Sequence, residues 1–150
     1  MQIEESWEAA EDTAYRRLLL ATTAKDGVDA WKGGFPADTM LGWIFTSGGL
    51  GVEPIARFWG TSPAWCQLPF NARVEGRFRM RAECLRLAGR IIGYLKATAN
   101  LSQVGNVLTL RLADMPGEPA EVLLDNGAIV WGINIPMHLV FATSADYENE

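Results

Sequence analysis

Six of the protein's ten arginines lie between residues 70 and 95, and their chemistry is the first question the sequence raises. Guanidinium groups at this density could bind nucleic-acid phosphates, form a catalytic cluster or pair with the carboxylates of a protein partner. The six are Arg73, Arg77, Arg79, Arg81, Arg86 and Arg90. Phe70 and Phe78 alternate away from these arginines, and the sequence pI is about 4.9, so both observations oppose nucleic-acid binding. The pattern favours a solvated face or a docking face for a protein, and both readings stay open.

Other groups that could do chemistry are few. The single histidine, His138, lies near the end of a predicted strand, and one imidazole without a nearby acid or cysteine is a poor general base. Cys66 and Cys84 form no Cys-x-x-Cys pair, and Cys84 falls on a predicted buried helical stripe. A Cys66–His138 dyad is the best enzymatic pair on offer, but nothing in the sequence brings the two together.

Phosphate-loop and metal-ligand spacings are also missing from the sequence. The glycine-rich stretch at 47–51, SGGLG, lacks the spacing and the lysine of phosphate-binding loops. No pair of His, Asp or Glu residues has the spacing of a metal site. We therefore predict no catalytic residue, no cofactor and no metal, and we predict that the protein is not an enzyme.

Length and composition fit one globular domain over residues 1–150. Hydrophobic residues make up 49% of the chain and charged residues 21%, which is ordinary for a protein that folds on its own core. The first twelve residues, MQIEESWEAAED, lack the apolar stretch of a signal peptide. No apolar run is long enough to span a membrane. We expect an intracellular or phage-type soluble protein without a membrane partner.

Charge is distributed unevenly along the chain. Residues 73–96 carry a net charge of +5, whereas the rest of the chain carries −10. Such a bipolar surface favours electrostatic docking, including the docking of one copy on another.

The apolar spacing predicts an α+β fold, with an antiparallel or mixed sheet, two helices packed on one face and a C-terminal β-hairpin. The predicted elements are helices over 3–24 and 80–97 and strands over 69–79, 106–112, 120–124 and 128–143. Asp26-Gly27 is predicted to stop the first helix, and Asn126-Gly127 to form a two-residue hairpin turn. Pro136 predicts an edge or a bulge in the last strand, because proline cannot donate a ladder hydrogen bond.

Residues 27–66 form an irregular region rich in glycine and tryptophan, in which we expect one or two strands. Its tryptophans are Trp31, Trp43, Trp59 and Trp65. Long loop-rich stretches are more often functional or interactive than filler. Several tryptophans near glycines could line an apolar pocket, so a small-ligand or peptide-binding domain is the alternative function.

The order of these elements, with the strand FNARVEGRF directly followed by a helix, resembles the tail terminator (tail completion) proteins of long-tailed bacteriophages. Those proteins are small α+β domains of about this length. They form a hexameric ring that caps the tail tube and joins it to the head. The resemblance covers nearly the whole chain, although the region at 27–66 and the hairpin at Asn126-Gly127 are more prominent here.

The resemblance implies that the function is assembly rather than catalysis. It implies a homo-oligomeric ring, contacts with the tail tube protein and the head–tail connector, and a place in the virion tail after assembly in the host cytoplasm. DNA would pass through the ring without specific binding.

In such a ring, the arginines would contact the acidic first helix of the next subunit, because head-to-tail contacts need two different patches on one molecule. The residues assigned to this interface are Arg73, Arg77, Arg79, Arg81, Arg86 and Arg90 on the basic side and Glu8, Glu11 and Asp12 on the acidic side.

Overall fold

The computed structural model describes residues 3–36, 41–48, 56–58, 65–98 and 107–144, and these form two helices and one mixed sheet of seven strands. The predicted α+β class is confirmed. The elements are α1 (Ile3–Thr22), β1 (Ala30–Lys32), β2 (Gly42–Ser47), β3 (Ala56–Phe58), β4 (Trp65–Phe78), α2 (Arg81–Thr98), β5 (Val107–Leu112), β6 (Ala120–Leu123) and β7 (Ile129–Ser144). No helix of the described residues combines the length and the apolar character that a membrane crossing requires.

A long antiparallel pair, β4 and β7, forms the centre of the sheet. The pairing runs in one register from Trp65 opposite Ser144 to Phe78 opposite Trp131. β2 and β3 pair with the other side of β4, and β5 and β6 pair with the other side of β7. β1 extends the sheet by a parallel pairing with β2. The region at 27–66 therefore contributes three short strands, one more than the sequence indicated.

The hydrophobic core lies between the sheet and the helices. Alternate residues of β7 are buried, as the two-residue period of a strand requires, and they are Ile133, Ile135, Met137, Leu139 and Phe141. The helices bury Ala10, Ala14 and Leu18 from α1 and Cys84, Leu87, Ala88, Ile91 and Leu95 from α2. α1 and α2 contact each other, and both contact β7. That the two helices share one face of the sheet stays a prediction.

Helix α1 ends earlier than predicted and in an unusual way. The sequence placed the stop at Asp26-Gly27, but the helix ends at Thr22 and Thr23 takes a positive φ of 57°. The Thr23 N–H donates to the Leu20 carbonyl and the Ala24 N–H to the Leu19 carbonyl, which is the Schellman pattern. A β-branched residue is strained at this position, where glycine is usual.

Replacing Thr23 by glycine is expected to raise the free energy of unfolding by up to about 1 kcal/mol. The substitution relieves left-handed strain worth about 1–3 kcal/mol, part of which is offset by the chain entropy of glycine. Thr13, inside the same helix, supplies the control, since Thr13→Gly should lower stability. Urea unfolding of both variants gives the test, and a loss of stability in Thr23→Gly would contradict the strained ending.

The predicted C-terminal hairpin is present, but its loop is longer than predicted. The Leu124 N–H donates to the Ala128 carbonyl at 2.9 Å and closes a loop of three residues, Asp125 to Gly127, rather than two. The Gly127 N–H donates to the Leu124 carbonyl, and Gly127 has φ of 85°. Three-residue hairpin loops commonly end on a left-handed glycine. The predicted position of the turn at Asn126-Gly127 is therefore confirmed, and the predicted loop length of two residues is wrong.

Pro136 lies within the central pair, where β4 and β7 keep one register and show no bulge. On the other side of β7, β6 reaches only to Gly132 and β5 pairs from Met137 onward, although the Ala113 N–H still donates to the Pro136 carbonyl oxygen at 3.0 Å. The edge that proline predicts is therefore a local gap on one side of β7.

Candidate functional site

The structure divides the six arginines between the two sides of β4. A Cβ atom built at Gly76 would lie 2.7 Å from Cδ2 of Leu87, so this position faces α2. Arg73 and Arg77 alternate with it and face away from α2. We call these two the strand arginines, and we call Arg81, Arg86 and Arg90 of α2 the helix arginines. Arg79 is exposed just after β4. The six therefore do not form one continuous surface.

Contacts within the chain hold the strand arginines. Arg73 lies 3.8 Å from a carboxylate oxygen of Glu75, and Arg77 lies 3.4 Å from the other oxygen. The guanidinium carbon of Arg77 is 4.4 Å from the centre of the Phe35 ring, and its side chain is only 26% exposed. Arg77 is therefore held in place by stacking and pairing, which is typical of a structural arginine.

The helix arginines are exposed, and two of them line a cavity. This cavity, of about 540 Å³, lies between the end of α1, the start of β2 and α2. Arg86 and Arg90 are one helical turn apart on its wall, and its apolar lining residues are Val28, Leu41, Trp43, Phe78 and Leu87. Glu83 and Asp29 also line it, so the formal charges of the lining cancel. We call this the arginine cavity.

Arg90 has a structural role in addition to lining the cavity. Its Nη1 donates to the Thr22 carbonyl oxygen at 3.1 Å. A cation at this position stabilises the negative end of α1 and satisfies one of its last carbonyls. Within the described part of the chain, Arg81 and Arg86 have no such contact, so they are the helix arginines available to a partner.

Two of the three acidic residues assigned to the interface are already engaged in the molecule. Glu11 accepts a hydrogen bond from Ser47, whose hydroxyl also accepts one from Trp7 Nε1 at 2.8 Å. Asp12 pairs with Arg16 at 2.9 Å and with Lys32 at 3.4 Å. The hydrogen bond from Arg16 holds the pKa of Asp12 below its usual value. Glu8 is exposed.

The positions of Cys66 and His138 in the sheet are too far apart for a catalytic pair. Cys66 lies opposite Thr143, whereas His138 lies opposite Asn71, so the two residues are five positions apart along the central ladder. That separation is about 16 Å along the strands, beyond the reach of a dyad. Cys84 is buried, its Sγ lies 3.4 Å from the Trp131 carbonyl oxygen, and burial raises the pKa of its thiol. This thiol is therefore a poor nucleophile.

No group of three or more potential metal ligands lies together among the described residues. His138 is half-buried, and its Nδ1 has no hydrogen-bond partner in the described part of the structure. Trp43 lines the arginine cavity and Trp31 packs against Phe35 with ring centres 6.1 Å apart, so these two do not form one shared pocket. Trp59 lies outside the described residues.

Sequence reasoning located the arginines but missed the cavity beside them. Its walls come from residues near 22–29, 41–43 and 78–90, and no local sequence pattern predicts that these three segments are in contact. The one sequence feature that could have indicated the cavity is the spacing of Arg86 and Arg90, which places them one turn apart on a predicted helix. No protein-family model matches the chain, and no curated protein is significantly similar to it.

Proposed function

We propose that the protein is a structural assembly protein, a phage tail terminator that forms a ring, caps the tail tube and joins it to the head. The observation that carries this proposal is a mixed basic and apolar surface on the first turns of α2. Arg81 and Arg86 are exposed there, and the large apolar side chains of Met80 and Leu85 are 59% and 47% exposed beside them. Arginine next to exposed apolar residues is typical of protein interfaces, whereas a solvated face would carry polar neighbours.

The distribution of paired charges strengthens the proposal. Arg77 is paired and stacked within the chain, whereas Arg81 and Arg86 are not paired in the described part of it. Arg81 and Arg86 thus place positive charge that is unpaired within the described residues on α2 of a protein with net charge −5. A molecule with a basic patch and an acidic remainder can contact a second copy head to tail, and such contacts close into rings when the rotation closes.

The ring would have the tail tube protein and the head–tail connector as partners and would reside in the virion tail. DNA would pass through its lumen without specific binding, because a net negative surface repels phosphate.

Self-association is the property that tests this function. We expect the mass measured by light scattering to rise with protein concentration and to level off at a fixed multiple of the chain mass, as a closed ring requires. Because the contacts are partly electrostatic, association should weaken between about 50 mM and about 500 mM NaCl. A mass equal to one chain at every concentration and salt level would contradict the proposal, and so would a mass that grows without limit.

The alternative, a small-ligand or peptide-binding domain, is supported by the arginine cavity, because Trp43 contributes to an apolar lining next to Arg86. This function predicts saturable quenching of tryptophan fluorescence by one class of small molecule, with no change in mass.

A further inference from the structure

The β6–β7 hairpin carries an apolar surface that nothing in the described chain covers. Leu123 and Ile129 are directly opposite each other across the two strands, and they are 72% and 63% exposed. Ile129 lies on the face of β7 on which Ile133 and Ile135 are fully buried, because these positions share the two-residue period. The core face of the sheet thus continues past the helices onto the hairpin, where it is open.

The same hairpin is acidic. Residues 120–144, which span the hairpin, contain no lysine or arginine and two acidic residues, Glu121 and Asp125. Glu121 is exposed and lies two positions before Leu123, on the same face of β6. Asp125 is exposed in the loop. The hairpin therefore presents carboxylates around an apolar pair.

The first turns of α2 present the complementary chemistry. Arg81 and Leu85 are one helical turn apart and therefore adjacent on the helix surface. Met80 precedes them and Arg86 follows, and all four side chains are exposed. This surface, Met80–Arg86, offers arginines around apolar side chains, so it matches the hairpin in both charge and apolar character.

We propose that the β6–β7 hairpin of one copy docks on the surface Met80–Arg86 of a second copy of this chain. Leu123 and Ile129 pack against Met80 and Leu85, and Glu121 pairs with Arg81. This inference rests on the proposed self-assembly and names its two contacting surfaces. Bidentate pairing of arginine with carboxylate gives such a contact its orientation.

The position of both surfaces relative to the central ladder is the same. The last pair of the central ladder is Phe78 opposite Trp131, the hairpin extends beyond it, and α2 starts three residues after Phe78. Both surfaces therefore lie at the same end of the ladder. Contacts between two different patches of one chain close into a ring when the rotation between copies closes, and they form filaments when it does not.

Two of the three acidic residues assigned to the first helix are engaged within the molecule, whereas Glu121 and Asp125 of the hairpin have no partner in the described part of the chain. Glu11 and Asp12 of α1 already have partners within the molecule. Docking through Glu11 or Asp12 would have to break these contacts, whereas docking on the hairpin leaves them intact.

Charge exchange between the two surfaces tests the proposal. Glu121→Arg and Arg81→Glu should each weaken self-association about tenfold or more, because each juxtaposes like charges at the contact. The two variants mixed in equal amounts should recover association, since each supplies the surface that the other lacks. The double variant Glu121→Arg/Arg81→Glu should also associate. Glu118→Arg, an exposed charge reversal outside the hairpin strands, should associate like the unmodified protein.

Sedimentation velocity measures these masses, and circular dichroism confirms that each variant is folded. If the unmodified protein associates and Glu121→Arg does so equally well, the hairpin proposal is wrong while the assembly function stands. If both single variants are defective but neither mixing nor the double variant restores association, the pairing of these two surfaces is wrong. If the unmodified protein never associates, the proposed function fails first, and this inference fails with it.

Discussion

Replacing Gly42 by alanine is expected to lower the free energy of unfolding by about 3–5 kcal/mol, the largest effect of any single methyl group that we predict. Gly42 has φ of 121°, a conformation that side chains disfavour. A Cβ atom at this position would lie 2.5 Å from the Asp29 carbonyl oxygen and 2.7 Å from Cζ3 of Trp31. The Asp29 carbonyl cannot easily move, because it accepts a hydrogen bond from the Trp43 N–H at 3.0 Å. The backbone strain at this φ and the steric overlap of the new Cβ atom therefore both lower the stability of the variant.

The matched control is Gly93→Ala in α2. Gly93 is exposed, a Cβ atom there meets nothing within 4 Å, and its helical backbone suits alanine. This substitution should raise stability by about 0.5–1 kcal/mol. Urea unfolding followed by circular dichroism compares the two. If the free energy of unfolding of Gly42→Ala lies within about 1 kcal/mol of that of the unmodified protein, β1 and β2 do not pack as described. The wall of the arginine cavity at the start of β2 would then also be wrong.

Reversing two helix arginines together, in Arg81→Glu/Arg86→Glu, is expected to reduce self-association about a hundredfold or more. Both side chains are exposed and unpaired in the described part of the chain, so their reversal changes the interface and not the core. Two like-charge contacts with an acidic partner surface cost several kcal/mol, and about 2.7 kcal/mol corresponds to a factor of one hundred. Light scattering across a concentration series gives the association constant.

A second double reversal, Arg73→Glu/Arg111→Glu, changes the net charge by the same amount at exposed positions on the strands. Arg73 faces away from α2 and already pairs with Glu75, so this variant should change association by less than about threefold. Equal losses in the two double variants would mean that overall charge, rather than the α2 surface, controls association.

The regular parts of the fold could be predicted because one local rule decided each of them. The alternation of arginines with Val74 and Phe78 indicated β4, and the alternating apolar residues from Ile129 to Phe141 indicated β7. The end of α1 could not be predicted in this way. Thr23 adopts a left-handed conformation that its type disfavours, and the contact from Arg90 that supports this ending comes from 68 residues away in the chain.

Some features of the candidate site could likewise be predicted from a local pattern, and others could not. The exposure of Arg81 and Arg86 followed from helical periodicity, since both lie off the buried stripe of α2. The alternation along β4 indicated that Arg73 and Arg77 face away from Val74 and Phe78, and the structure separates these two from the helix arginines, although the sequence analysis had interpreted all six as one surface. The sequence analysis also assigned the acidic side of the interface to α1. It could not show that Glu11 already has Ser47 as a partner, because this contact joins segments that are distant in the chain. The exposure of Leu123 and Ile129 could not be predicted either, because it depends on which part of the sheet the helices cover.

Electron microscopy of the purified protein in negative stain at high concentration tests the central claim, that this chain assembles through α2, most directly. We predict closed rings of uniform size, hexameric as the resemblance to tail terminators implies, and their loss in Arg81→Glu/Arg86→Glu but not in Arg73→Glu/Arg111→Glu. Single particles of monomer size at every concentration, or rings that survive reversal of the helix arginines, would contradict the claim.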